Sequence, residues 1–418
     1  MRNLLCTVGV VVASLLAASC GSSSSTTPAN IRLVNTTGVA VSMTLNSVYE
    51  LSAPSDTASV YESIPPGTYS LSASSSGLSS STQTVGLGTA ENYTTIAFLR
   101  GSTILTSTIT DNLATPASGS VTLDVANVSI DAGPLDVYLL QGTTSLQGQT
   151  PSFSSVQGLT TAETFSAGTY NIIVTATGNQ SDVRFSYTGY VFSYPMVGTL
   201  ALTDTSGGTL VNANVITQGG GIDAIANTQA RVRVMPALPS TPTSEVLVTV
   251  GTTTLAPSYS GIPTEYALVG AGAVIASVTV GGTAISTALP TTALASGQDY
   301  SILVYGDGTA AGTTAVLLAD SNLVIPNQAS VRVINGAATA TIAPGGVTLF
   351  VEGKEPVFGV LYGTASSYAG VAPNSSATVQ LIGGTYNETV PSYNFISGDV
   401  YTVFLYDSTQ PPLITEDR

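Results

Sequence analysis

The sequence predicts an all-β protein built from tandem repeats of β-sandwich size. Three observations predict it. Short runs of Val, Ile, Leu, Thr and Tyr alternate in polarity and are punctuated by Gly, Pro, Asn and Ser. No stretch after Cys20 sustains a 3.6-residue apolar period with helix caps. An arginine-bearing strand also recurs at intervals of roughly a hundred residues, the size of one sandwich.

The N-terminus reads as an address. Met1 to Asn3 carries one basic residue, Arg2, and Leu4 to Ala18 follows as a mostly apolar run without a charge. That run is too short to span a bilayer comfortably but suits the apolar region of a signal peptide. It ends in Leu16-Ala17-Ala18-Ser19-Cys20, followed by Gly21 and the polar stretch Ser22 to Pro28. This segment resembles the lipobox of bacterial lipoproteins, although Ala17 stands where Leu is commonest. The resemblance implies that residues 1–19 are a lipoprotein signal peptide and that Cys20 is the lipidation site, with 20–28 as a polar tether. Two or three acyl chains would anchor the protein stably. Gly21 is not the Asp that favours inner-membrane retention in Gram-negative families, so an outer-membrane destination is expected if the cell is Gram-negative. The alternative is an ordinary secretory signal cut near Ala18 or Ser19, which leaves Cys20 incidental.

The body repeats. Ile31-Arg32-Leu33-Val34 recurs as Val232-Arg233-Val234 and Val331-Arg332-Val333, with Ser120-Val121-Thr122-Leu123 read as a degenerate copy. A second strand ends in Gly: Leu135 to Gly142, Val246 to Gly251 and Val347 to Gly353. Next come Pro66-Gly67-Thr68-Tyr69 and Ala167-Gly168-Thr169-Tyr170, with Gly270-Ala271-Gly272 a weaker counterpart. A tyrosine then opens the closing strand in Asn92-Tyr93-Thr94, Asp299-Tyr300-Ser301 and Val400-Tyr401-Thr402, and repeat two lacks it. Ser330 to Ile334, the turn-forming Asn335-Gly336 and then Gly346 to Val351 suggest antiparallel meanders. The predicted repeats span 29–113, 118–222, 229–325 and 329–418. Thr115-Pro116-Ala117-Ser118-Gly119, Gly219-Gly220-Gly221 and Pro326-Asn327-Gln328 read as flexible or turning joints.

These signatures together resemble the domain of unknown function 4397 family, found in tandem in bacterial envelope lipoproteins, over most of residues 29–418. The resemblance implies immunoglobulin-like or prealbumin-like β-sandwich domains and an envelope location. It carries over no catalytic residue.

Composition narrows the chemistry. Of 418 residues 43% are hydrophobic, so a folded core is expected, but only 8% are charged against roughly 25% in ordinary domains. A net charge of -15 repels polyanions and argues against nucleic-acid binding. Both cysteines, Cys6 and Cys20, lie in the first twenty residues, and histidine is absent, which removes thiolate, imidazole and the usual triad chemistry from the body. Lys354, the only lysine, stands between Glu352 and Glu355 and reads as a solvated hairpin cluster rather than a Ser-Lys or Schiff-base site. Asp204, Asp307 and Asp407 offer hard oxygen ligands for calcium, but no D-x-D-x-D-G spacing occurs, and turn capping explains them better. Gly270-Ala271-Gly272 is a β turn rather than a dinucleotide loop, since no third Gly stands at Ile275. The recurring Arg32, Arg233 and Arg332 are expected to serve the fold.

No catalytic, metal or cofactor residue is therefore assigned, and Cys20 is the single predicted site. The expected function is a non-enzymatic, envelope-anchored lipoprotein displaying its repeats as spacer, adhesion or interaction modules. Its expected partners are the membrane, through the lipid on Cys20, and an envelope protein or glycan. The alternative is a specific glycan- or peptidoglycan-binding lipoprotein, which an exposed Tyr cluster on one repeat would favour.

Overall fold

The computed structural model describes residues 27–239, 245–257, 261–337 and 345–418. The signal region and Cys20 lie outside them. Every regular element among the described residues is a strand. The strands form eight sheets that stack in pairs as four consecutive β-sandwiches.

Each sandwich follows one plan. An opening strand (Ala29–Asn35, Ser120–Asn127, Gln229–Ala237, Ala329–Asn335) pairs in parallel with a closing strand (Asn92–Arg100, Val197–Asp204, Asp299–Gly306, Val400–Leu405). A final strand (Thr103–Thr110, Val211–Thr217, Thr313–Asp320, Leu413–Glu416) pairs antiparallel with the closing one. The second sheet holds the strand that ends in Gly: Leu135–Leu140, Val246–Val250 and Val347–Val351. Gly142, Gly251 and Gly353 have φ of 73°, 56° and 72°, which a side chain resists, so glycine is needed to turn the chain there.

The meander expectation is corrected by this topology. The opening strand and the strand ending in Gly lie in different sheets, and the ladder that joins the first and closing strands is parallel. Asn335 does not make a hairpin; it is fully buried, and its side-chain amide donates to the Val360 carbonyl 3.0 Å away. A long parallel crossover leaves no local sequence signature, whereas a hairpin does. Because the first two strands are in separate sheets, the order also differs from the constant-type immunoglobulin sandwich, whose A, B, E and D strands share one sheet.

Alternation fixes which residues go inside. Ile31 and Leu33 face the first core while Arg32 and Val34 face outward, and the same phase recurs in all four opening strands. The signature tyrosines lock corners. Tyr69 and Tyr170 donate to carbonyls four residues earlier, Pro65 at 2.6 Å and Ser166 at 2.8 Å. Tyr93, Tyr300 and Tyr401 each accept a backbone N–H from five residues earlier, at Gly88, Ala295 and Ile396. Repeat two has Gly198 at that register, where a Cβ would stand 2.5 Å from the Ile216 carbonyl oxygen.

The outward faces of the first sheets are not free. Val34, Ile96 and Phe98 of sandwich 1 pack on Ala126, Ala201 and Ile216 of sandwich 2. Met235 and Leu303 of sandwich 3 pack on Ile334 and Phe404 of sandwich 4. The second contact has approximate two-fold character. Tyr305 of sandwich 3 covers Gly363 of sandwich 4, and Tyr406 of sandwich 4 covers Gly261 of sandwich 3; in each case a Cβ on the glycine would come within 2.5 Å of the ring.

The expected joints are also corrected. Gly219-Gly220-Gly221 is a turn inside sandwich 2, because the strand Ile222–Ile225 returns to pair with Val211–Thr217. The true connector contains Asn227, a buried residue whose amide bonds the Arg184 and Val211 carbonyls. Gly207 and Gly297 join sandwiches 2 and 3 through a backbone hydrogen bond of 2.8 Å. The four units are therefore packed together rather than strung on flexible linkers.

Candidate functional site: arginine clasps between sandwiches

The structure brings the recurring arginines together at the sandwich interfaces, where each stands one residue away, along its strand, from core-facing neighbours. Between sandwiches 3 and 4 they cross. Arg233 of sandwich 3 reaches Asp417 of sandwich 4 at 2.8 Å, and Arg332 of sandwich 4 reaches Asp320 of sandwich 3 at 2.6 Å. The hydroxyls between them are shared: Ser301 accepts from Arg233 at 2.9 Å and from Arg332 at 3.3 Å, and Thr402 accepts from Arg332 at 3.0 Å and from Arg233 at 3.2 Å. Tyr266 donates to Asp320 at 2.6 Å and Tyr368 to Asp417 at 3.1 Å. Their rings lie under guanidinium groups, with Arg231 and Arg233 4.4 and 4.6 Å from the Tyr266 centroid and Arg332 4.7 Å from that of Tyr368.

Electrostatics makes this clasp a lock rather than a reaction centre. Burial works against charge on Asp320, but Arg332 and Arg233 outweigh it and hold the carboxyl below its usual range. Burial likewise opposes charge on the two arginines, and the facing aspartates hold them protonated. Burial raises the Tyr266 and Tyr368 hydroxyls well above the usual value, so they stay neutral donors. Asp320, the two arginines and the two tyrosines are thus each pushed away from exchanging a proton near neutrality.

Sandwich 1 has the same three residue types. Arg32 reaches Asp111 at 2.9 Å and Thr94 at 2.8 Å, and Tyr61 donates to Asp111. Burial and the Asp111 bond raise the Tyr61 hydroxyl to about 12. Arg32 also crosses to sandwich 2, donating to the Gly220 and Thr217 carbonyls at 2.6 and 3.0 Å.

Sandwich 2 breaks the pattern, and the structure moves its alignment. Asn35, Asn127 and Asn335 each use the side-chain amide to bond the carbonyl that ends a second-sheet strand, Ala53, Val156 and Val360. Aligning these asparagines places Asp124, not Thr122, opposite Arg32 and Arg332. Ladder registers put Gln218 where Asp111, Asp320 and Asp417 stand. The residues that bond the opening strand, Ser59, Thr160, Thr264 and Ser366, put Ala162 where Tyr61, Tyr266 and Tyr368 stand. The whole arginine, aspartate and tyrosine set is replaced at once. A two-residue shift flips nothing in alternation, which is why the sequence pattern did not expose it.

A second junction ties the pairs together. Arg100 of sandwich 1 holds Asp131 of sandwich 2 through two bonds of 2.7 Å, Asp131 accepts from the Val324 N–H at 2.7 Å, and Arg418 donates to the Asp131 carbonyl. Nearby, Arg231 holds Asp299 through two bonds of 2.9 and 2.7 Å. A cleft of about 870 Å³ opens between sandwiches 2, 3 and 4, lined by Asp182, Arg231, Glu265, Tyr266, Glu416 and Arg418 among others. Of its charged lining, Asp182, Arg231, Asp417 and Arg418 are already bonded within the protein, to Arg184, Asp299, Arg233 and the Asp131 carbonyl.

The remaining sequence candidates have local duties. Asp307 and Asp407 cap their own turns through Thr309 and Thr409, each accepting both the backbone N–H and the hydroxyl. Asp204 caps the turn at Ser129 to Asp131. No group of three or more metal-ligating side chains occurs among the described residues. Lys354 is exposed beside exposed Glu352 and Glu355 at a hairpin. Gly270-Ala271-Gly272 turns between two strands. Tyr187 and Tyr190 are adjacent at the edge of sandwich 2, but Tyr190 packs against the core and donates to Asp223 at 2.7 Å. Tyr393 packs on Phe395 and Tyr401 at the edge of sandwich 4 in the same manner, so Tyr190 and Tyr393 close their sandwiches while Tyr187 stays exposed.

Residues 24–138 match the model of the family described as Domain of unknown function (DUF4397), covering sandwich 1 and the first strands of sandwich 2. The sheet pattern of that segment repeats along the rest of the chain, as tandem domains would. No curated protein matches. Among solved structures, the Bacillus anthracis TIE protein aligns at 8% identity with a TM-score of 0.14, over 87% of this chain and 66% of that one. This chain therefore spans slightly less than two thirds of that protein, and a likeness so low adds nothing to the fold.

Proposed function

We propose that the protein is a non-enzymatic lipoprotein of the bacterial envelope, anchored through lipid on Cys20, whose four sandwiches form one stiff display module. The observation that carries this reading is where the positive charge goes. All seven arginines of the described residues bond within the molecule, to aspartates or to backbone carbonyls, and most of those bonds join one sandwich to another. The outer surface is left to hydroxyl and amide side chains with few charges. Such a build favours a spacer or interaction module that holds a fixed shape over a catalyst with mobile ionisable groups. The lipobox-like run and the polar tether from Ser22 to Pro28 support the anchor and an outer-membrane address in a Gram-negative cell.

The experiment is metabolic labelling with a palmitate analogue. Label should enter the wild-type protein and be lost in Cys20→Ser, with the wild type partitioning into membranes. Equal labelling of both would end the lipoprotein reading. Protease added to whole cells then separates surface display, in which the module is cut, from a periplasmic role, in which it is spared.

A further inference from the structure

We propose that Asp124 makes the contact between sandwiches 1 and 2 responsive to pH, closed in mildly acidic medium and loosened at neutrality, while the contact between sandwiches 3 and 4 stays shut.

The geometry comes from the broken repeat. Asp124 occupies the register at which Arg332 meets Asp320 across the other interface. The residue matching Asp320 in sandwich 1 is Asp111, so a carboxylate stands where its cation would be. Asp124 is only 2% exposed, on the same strand face as Ala126, which packs in the interface with Val34 and Phe98. Its Oδ1 atom has no hydrogen-bond partner among the described residues. The groups that face it are few. The Thr199 hydroxyl on the closing strand bonds it, and Asp111 repels it from sandwich 1. Arg32 and Tyr61 are already bonded to Asp111 and do not relieve it. Glu163, on the adjacent strand Glu163–Ser166, is exposed. A buried carboxylate short of partners favours its neutral form.

Burial first, with Asp111 adding to it and Thr199 opposing, lifts the Asp124 carboxyl from 3.8 to about 6. A carboxyl raised on closure binds more protons closed than open. The closed state is therefore favoured at low pH and loses that advantage as pH rises between 3.8 and about 6. With those two values, the opening constant of the contact rises about tenfold between pH 5 and 7.5. The clasp of sandwiches 3 and 4 has the opposite sign. Asp320 is held below 3.8, so its contribution is whole above that value and is lost only in stronger acid.

The test is hydrogen exchange on the full chain at pH 5 and 7.5, corrected for the intrinsic rate, read at amides of Asn92–Arg100 and Ser120–Asn127. The fall in protection at pH 7.5 should be about tenfold larger in the wild type than in Asp124→Asn, with Asp299–Gly306 and Val400–Leu405 unchanged in both. Asp204, whose carboxyl burial also raises to about 6, is present in both proteins, so the difference between them reads Asp124. Carboxyl-carbon titration of the wild type needs no variant and should place Asp124 near 6. An ordinary value near 4 there, or equal pH dependence in wild type and Asp124→Asn, overturns the proposal.

Discussion

Arg332→Met tests the central idea that paired charges hold sandwiches 3 and 4 together. The substitution keeps most of the apolar stem and removes the guanidinium. Asp320, whose side chain is 0% exposed, then loses its 2.6 Å cation, and the Ser301 and Thr402 hydroxyls lose donors at 3.3 and 3.0 Å. Arg233 and Tyr266 remain near Asp320, so the loss is partial rather than complete. Removing one member of a buried pair costs about 3–5 kcal/mol because the other charge stays buried without compensation. Replacing both members with apolar residues costs little, since the desolvation penalty goes with them. Urea unfolding of the full chain, followed by tyrosine fluorescence in a protein with 19 Tyr and no Trp, together with native-state exchange at Asp299–Gly306, measures the change. The expected result is a loss of about 3 kcal/mol in Arg332→Met, the low end of that range because Arg233 and Tyr266 remain, and recovery of most of it in Arg332→Met/Asp320→Leu. A loss under about 1 kcal/mol for the single variant, or a double variant as unstable as the single one, would refute the reasoning.

Two further outcomes follow from the same contacts. Tyr300→Phe removes the acceptor of the Ala295 N–H at 3.0 Å, and thermal unfolding should show a loss of about 1–3 kcal/mol, with no such loss for Tyr187→Phe at the exposed edge. Residues 329–418 alone would bare Ile334 and Phe404, each contributing about 1.5–3 kcal/mol when buried, and would strand Arg332 and Asp417. Sedimentation should therefore find that fragment self-associating through the exposed face while residues 229–418 fold cooperatively as a monomer; a stable monomeric fragment 329–418 would show that the interface is dispensable.

Sequence by itself determined the strand content, the sandwich size of the repeats and the corners. Those depend on local rules: alternation that puts Ile31 and Leu33 inside, glycines at Gly142, Gly251 and Gly353 where φ is positive, and tyrosines a fixed step from the backbone groups they bond. The recurring Arg32, Arg233 and Arg332 were visible as belonging to the fold. Their partners were not, because Asp320 ends the final strand of one sandwich, Asp417 directly follows that of the next, and no periodicity links them to the arginines. Tertiary structure alone decided that opening and closing strands run parallel, that the presumed Gly joint at 219–221 is an internal turn, and that Asp124 rather than Thr122 matches the arginines. The reason is physical: alternation has a period of two, so a slip of two residues leaves every side chain on its proper face and changes only which charge meets which across an interface.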